Sequence, residues 1–485
     1  MQSPSEEKKR QHLFSRAAFG ISMNELQNRR GQNLSSLVDE LFKESAGFTE
    51  LAVVAVDKME AMSQKDRKAL SAEERKKLRE ERKRSMFDLN LAWVEKLWTD
   101  PARLRERMTF FWHGHFACRL EAPWAMQDLN NIHRKYALGN FRDMLLAVSK
   151  SPAMLQFLNN QQNRKMHPNE NFAREVMELF TIGRGNYTEY DIKEAARAFT
   201  GWGYERETGA FVFREKTHDE GEKTFLGKTG NFKGEDIIDM LLEKKETAHF
   251  LCRKIYKFFV NDQADEKIVN ALADSFYASQ YDIAALMKKI FNADWFFHPG
   301  NIGALIKSPV DLLAGLNRLV PVSYENKDGL LVFQRGLGQA LFYPPNVSGW
   351  AGGKNWIDSS SLMFRLKAPS MLLNNGHIDI QPKDDLLDGK PAMMQKDLAN
   401  GQSPATMPVA GQGDQAKRKN KFHALPDWNS LLSSIPENCT KEELISRILV
   451  PEASVALLKN LQAMNASNHK ELVMELLSSP EYQMG

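Results

Sequence analysis

Asn171, Arg174, Glu175 and Glu178 recur at intervals of three and four residues, so at ~100° per residue they share one face of a helix. Phe172, Val176, Leu179 and Phe180 fall on another face. Two carboxylates in register with an amide and a guanidinium can do acid–base work or hold a cation, provided they sit in low dielectric. Glu175 and Glu178 are therefore candidate catalytic groups or ligands, with Asn171 and Arg174 as substrate-binding neighbours. Arg197, on the next helix across a short turn, can neutralise either carboxylate. The same residue types also build salt bridges that only pin two helices together, and that alternative stands beside the chemical one.

Three further groups carry chemistry. His113 and His115 flank Gly114 within Phe110-Phe111-Trp112-His113-Gly114-His115-Phe116. On a continuous helix their side chains diverge by ~200°, so both can bind one divalent transition metal only if the helix ends at Gly114. Otherwise they are core histidines among aromatic rings. His167, ahead of the Pro168-Asn169 helix start, is a third candidate ligand or a plain surface turn residue. His218-Asp219, followed by Gly221 and Lys223, reads as a loop able to cradle a phosphate, sulfate or sugar hydroxyl, or as a turn in which Asp219 caps its own backbone. Finally, Tyr343-Pro344-Pro345-Asn346-Val347-Ser348-Gly349-Trp350, with Trp356 beyond it, is a stiff aromatic loop. Trp350, Trp356 and Trp202 offer flat faces that can stack on a sugar ring or pack on a core, and Asn346 offers an amide.

The elements that must position these groups are mostly helices. The pattern predicts short helices over 9–45, a long one over 64–98, and others over 140–148, 169–182, 188–200, 234–242 and 247–260. Asp100 and Pro101 read as the N-cap and first residue of a further helix. Thr188 with Asp191 reads as a capping box. A single β-hairpin is expected at about 210–227. The fold class is thus all-α: one large domain over 9–377, a linker or disordered insertion over 378–424, and C-terminal helices over 425–485 packing on the main domain. Residues 64–84 hold ten basic and five acidic residues but no aromatics, which fits a solvated helix face rather than a nucleic-acid surface.

The 485 residues are 42% hydrophobic and 26% charged, an ordinary globular composition. Basic residues exceed acidic ones by only 65 − 62 = 3, so no global field selects nucleic acid or an anionic membrane. Cys118, Cys252 and Cys439 are too few and too dispersed for a disulfide framework. No apolar run is long enough for a transmembrane segment. With no visible export signal the expected compartment is cytoplasmic, or periplasmic or exported if a signal has been removed. No phosphate-binding loop, dinucleotide fingerprint, nucleophile elbow or HExxH zinc helix is present.

Several strings in order carry a resemblance: His12-Leu13-Phe14-Ser15-Arg16-Ala17-Ala18-Phe19-Gly20, Arg107-Met108-Thr109-Phe110-Phe111-Trp112-His113-Gly114-His115-Phe116, residues 167–202, 218–227 and 343–350, and Ser479-Pro480-Glu481-Tyr482-Gln483. Together they resemble the bacterial family catalogued as domain of unknown function 1800. The resemblance implies a big helical protein, often encoded beside a second family related to sulfatases, and supplies no established catalytic residues. We expect one pocket where the 169–182 helix, the His113–His115 segment, the His218 loop and the Pro-Pro-Asn loop converge. Its expected ligand is a glycan or a sulfated or phosphorylated sugar. The alternative is a non-catalytic scaffold or partner for a sulfatase-like protein encoded nearby.

Overall fold

Short polar side chains ahead of apolar stretches set the helix starts. Ser22/Glu25, Ser71/Glu74, Thr188/Asp191, Ser308/Asp311 and Thr440/Glu443 each form a reciprocal capping box, satisfying two otherwise orphaned backbone donors. The computed structural model describes residues 4–55, 69–374, 377–379, 421–462, 464 and 468–485. Among these, 21 α-helices and three small antiparallel sheets make the protein all-α in class.

The Arg103–His115 helix runs through the middle of the core, with every residue from Leu104 to His113 buried. It packs against the helices Glu6–Ala18, Ala72–Thr99 and Pro123–Tyr136. An ion pair is sealed inside this junction: Arg134 and Glu106 are essentially unexposed and 2.5 Å apart, and the Trp93 indole donates to Glu106 at 3.0 Å. Each lone pair so occupied offsets desolvation, so truncating only one partner would cost about 3–5 kcal/mol.

The Ala72–Thr99 helix behaves as its composition demands. Residues 72–84 are exposed or half-buried, and from Met86 the apolar face is buried. The part of the predicted 64–98 helix that lies at 64–68 falls outside the described residues.

Three expectations are corrected. The helix after Pro101 begins at Arg103, because Asp100 spends its side chain on the Ala102 amide (2.7 Å) in a tight turn. The expected 169–182 helix is α-helical only over Asn171–Glu175 and then widens into a π-turn at Val176–Phe180, where the Thr181 hydroxyl donates back to the Val176 carbonyl at 2.6 Å. The expected single hairpin is two. Trp202–Tyr204 pairs with Phe211–Phe213, and Lys223–Phe225 pairs with Lys228–Gly230. Each strand takes its nearest neighbour because Leu226 and Gly227, at φ 48° and 82°, close a two-residue turn with both central residues left-handed.

The third sheet joins Val322–Tyr324, Lys421–Pro426 and His377–Asp379, so the two ends of the expected 378–424 insertion are strands. Residues 380–420 lie outside the described residues. Among the described residues, no helix is long and apolar enough to cross a membrane.

Candidate functional site

The carboxylate stripe is committed to local partners. Arg174 forms a bidentate pair with Glu189 (2.8 and 2.9 Å) and reaches Glu170 at 3.3 Å. Those hydrogen bonds hold its guanidinium charged and keep the Glu189 carboxyl below its usual range. Glu178 accepts from Arg184 and from the Tyr187 hydroxyl (2.9 Å). Glu175, half-buried beside Glu178, has its carboxyl pushed up by burial and then by that neighbouring charge. Asn171 and His167 are exposed.

The His218 loop is likewise knotted. His218 Nδ1 donates to the Thr200 carbonyl at 2.9 Å, and Arg197 grips Asp219 at 2.7 and 3.2 Å and Glu194 at 2.9 Å. Hydrogen bonding from Arg197 holds the Asp219 carboxyl down. Buried Lys223 donates to the carbonyls of Asp219 (2.6 Å) and Gly221 (2.9 Å), tying the loop from within. Trp202 is buried against Phe199 and Phe172.

Gly114 does not end its helix, which continues to His115, and the two histidines face different surroundings. His113 Nε2 accepts from the Phe342 amide at 3.1 Å, and its ring lies among Trp93, Phe342 and Trp350. Burial lowers it to about 3. His115 Nδ1 sits 3.2 Å from the Lys254 amine, while its Nε2 is buried without a partner. Among the described residues, no three His, Cys, Asp or Glu side chains gather as a metal would require.

One cavity of about 580 Å³ does bring predicted residues together: His115, Trp350 and Trp356 line it. That volume is within the ~300–1,000 Å³ of small-molecule sites. The His218 loop and the carboxylates lend it no side chain. The 171–180 segment does not line it, and meets the lining residue Lys254 through the Leu179 carbonyl, which accepts from its amine at 3.1 Å. Asn346 lies outside, holding the Ser348 amide at 2.9 Å. The aromatic loop is seated by Gly349 (φ 76°), whose position approaches the Gly114 carbonyl so closely that a Cβ would stand 2.6 Å from it.

The cavity's charge is lopsided. Seven basic side chains line it against two acidic ones, Asp262 and Asp311. Arg107 pairs with Asp311, whose other oxygen accepts from the Ser308 amide at 3.1 Å. Arg447 pairs with Glu7 at 3.3 Å. Arg16, only 3% exposed, makes no ion pair among the described residues, though Asp311 acts on it as a neighbouring charge; one terminal nitrogen reaches the Val260 and Asn301 carbonyls at 3.4 and 3.3 Å, and its Nε has no acceptor among those residues. Lys257 and Lys354 make no ion pair among the described residues. Burial lowers Lys254 to about 8, and lowers Lys307 to about 7 in spite of Asp311. Phe110, Phe111 and Phe258 complete an apolar wall.

Arg16, Arg107, Lys254, Lys307 and Asp311 were not singled out as site residues by spacing. The signal available for them was a lone charge inside an aromatic or apolar run, as in Leu13-Phe14-Ser15-Arg16-Ala17-Ala18-Phe19 and Ile255-Tyr256-Lys257-Phe258-Phe259. The model of the family described as "Protein of unknown function (DUF1800)" matches residues 12–484, nearly the whole chain, and the chain belongs to that family. No curated protein and no solved structure matches it.

Proposed function

We propose that this DUF1800 protein binds an anionic sugar, sulfated or phosphorylated, in the 580 Å³ cavity. The observation that carries this reading is the buried cation Arg16, which makes no ion pair among the described residues and shares the charge of Asp311 with Arg107 and Lys307, in a cavity whose basic groups outnumber its acids. A guanidinium stays charged even when desolvated, so its burial without a carboxylate of its own is a standing cost that a bound anion removes. Anion binding by Arg and Lys in low dielectric is also stronger than at an open surface. Trp350 and Trp356 supply flat faces for the sugar ring at the same cavity. Glu175, Glu178, His218 and Asp219 support the fold around the site rather than line it.

The test is calorimetric titration of glucose 6-phosphate, inorganic sulfate and glucose into the wild type and Arg16→Met. The reading expects binding of the two anions, tighter for the sugar phosphate, weak or absent binding of glucose, and loss of anion binding in the variant. Anion affinity that is absent, or unaltered by Arg16→Met, overturns it.

A further inference from the structure

Lys254 stands apart from the other basic groups of the cavity. It projects from the Lys245–Phe259 helix with its Nζ fixed by two acceptors, the Leu179 carbonyl at 3.1 Å and His115 Nδ1 at 3.2 Å, over the face of Phe250. Two N–H bonds orient a neutral amine and leave its lone pair unshared. This takes the His115 tautomer that carries its proton on Nε2, the one that lets Nδ1 accept from the amine. Lys307, by contrast, donates to the Tyr482 carbonyl at 2.8 Å and lies over the Tyr482 ring, near Asp311 and Arg365.

Arg107 and His115 are eight residues apart on one helix, which is about 12 Å at ~1.5 Å per residue. Arg107 is ringed by Phe19 and Phe258 at 4.7 and 4.6 Å, and His115 by Phe111 and Phe116. A molecule with an anionic group at one end and a reactive carbon at the other spans that distance.

We propose that Lys254 is a carbonyl-condensing residue: with the anion seated at Arg16, Arg107 and Lys307, its amine attacks the aldehyde or ketone of an open-chain anionic sugar. The proposal rests on the anionic-sugar reading of the cavity. In the addition, the nitrogen lone pair forms a C–N bond, the carbonyl π pair moves to oxygen, and the ammonium proton transfers to that oxygen. The hydroxyl then leaves as water with the second nitrogen proton, giving an imine. Amine and carbonyl become imine and water, with no oxidant or reductant. His115 positions the amine through its Nδ1, 3.2 Å from the attacking nitrogen. Burial lowers Lys254 to about 8, which raises its neutral fraction at pH 7 to about a tenth, the usual route by which a protein makes a lysine nucleophilic.

The experiment incubates the full chain with glucose 6-phosphate, whose open-chain form carries the aldehyde and the phosphate at opposite ends, and cyanoborohydride, which reduces an imine to a stable amine, and maps adducts by peptide mass. Uncharged glucose is the twin probe. The expected result is a dominant adduct on Lys254, formed at least about tenfold faster with the phosphorylated probe and slowed by inorganic sulfate. Lys254→Arg keeps sulfate binding and loses that adduct. Adducts spread over surface lysines, or concentrated on Lys307, or unaltered by sulfate, overturn the assignment. Sulfate that binds without any Lys254 adduct removes the lysine chemistry and leaves the anion site standing. Sulfate that fails to bind removes the reading beneath it.

Discussion

Arg107 donates its Nε to the main-chain carbonyl of Arg16 at 2.9 Å, while the Nε of Arg16 itself has no acceptor among the described residues. Of these two buried cations, Arg107 holds the ion pair with Asp311, which acts on Arg16 only at longer range. Arg16→Met and Arg107→Met are therefore expected to part company. Arg16→Met removes an unpaired charge that Arg107 already disfavours, so thermal stability without ligand is retained or raised. It weakens sulfate binding by about tenfold or more, the value of one charged hydrogen bond of ~1.5–3 kcal/mol. Arg107→Met strands Asp311 and costs about 3 kcal/mol of stability. Thermal denaturation with calorimetry checks both; an Arg16→Met protein that melts far below the wild type contradicts the expectation.

The lysine seated at the anion predicts how affinity responds to pH. Burial lowers Lys307 to about 7 in the free protein. A bound anion favours its protonated form, so above that value binding must draw a proton from solution. Sulfate affinity is then flat below about pH 6 and falls as pH rises through 7 and above, by up to about tenfold per unit. Sulfate stays a dianion throughout, so the ligand adds no titration of its own. Calorimetry in buffers of different ionisation enthalpy measures the proton uptake directly. Equal affinities at pH 6 and pH 9 would reject this assignment.

Acid should unfold the protein early. His12, His113, His115 and His133 are at most 4% exposed, and burial lowers all four below the ordinary histidine range, His113 to about 3. The unfolded chain binds protons at these positions below about pH 6.5 and the folded chain does not, so stability is full above that value. It is lost as pH falls toward the folded values, by up to about 1.4 kcal/mol per unit for each histidine. Denaturant midpoints between pH 7.5 and 5 read the slope. His133→Phe, stacked on Phe116 in place of a ring with two unpartnered nitrogens, should flatten it; an unchanged slope counts against the account.

Features that depend on three or four consecutive residues were legible in the chain. The Thr188/Asp191 capping box and the polar stripe of Arg174, Glu175 and Glu178 are of that kind, and the stripe's alternative as an ion-pair network has its partners in Glu189, Arg184 and Tyr187. Pairing was less legible. Phe211–Phe213 alternates, but its partner Trp202–Tyr204 is buried at every position and carries no alternation to read. The cavity was least legible, because its walls come from distant segments: Arg107 and its partner Asp311 are 204 residues apart. Periodicity says that each cation lies in an apolar stretch and cannot say that the stretches meet.

Two glycines decide whether the aromatic loop stays seated on the cavity, and they should respond oppositely to alanine. Gly349 has φ 76°, and an added Cβ would meet the Gly114 carbonyl oxygen at 2.6 Å, a backbone atom held within a helix. Left-handed strain of ~1–2 kcal/mol adds to the cost of moving one backbone off the other. Gly349→Ala should therefore destabilise the protein by about 2 kcal/mol or more and displace Trp350, whose ring lies 5.6 Å from that of His113. A Cβ on Gly114 meets nothing within 4 Å, and its backbone is helical. Gly114→Ala should instead be neutral or stabilising by up to about 1 kcal/mol. Binding separates the roles further. Inorganic sulfate needs only the cations, so Gly349→Ala should keep its affinity, while glucose 6-phosphate should lose whatever advantage its ring gains from Trp350. Paired melting curves and titrations of the two variants read both effects. If Gly349→Ala is as stable as the wild type and still prefers the sugar phosphate, the loop is not held in this way and its tryptophans are not the sugar-facing wall.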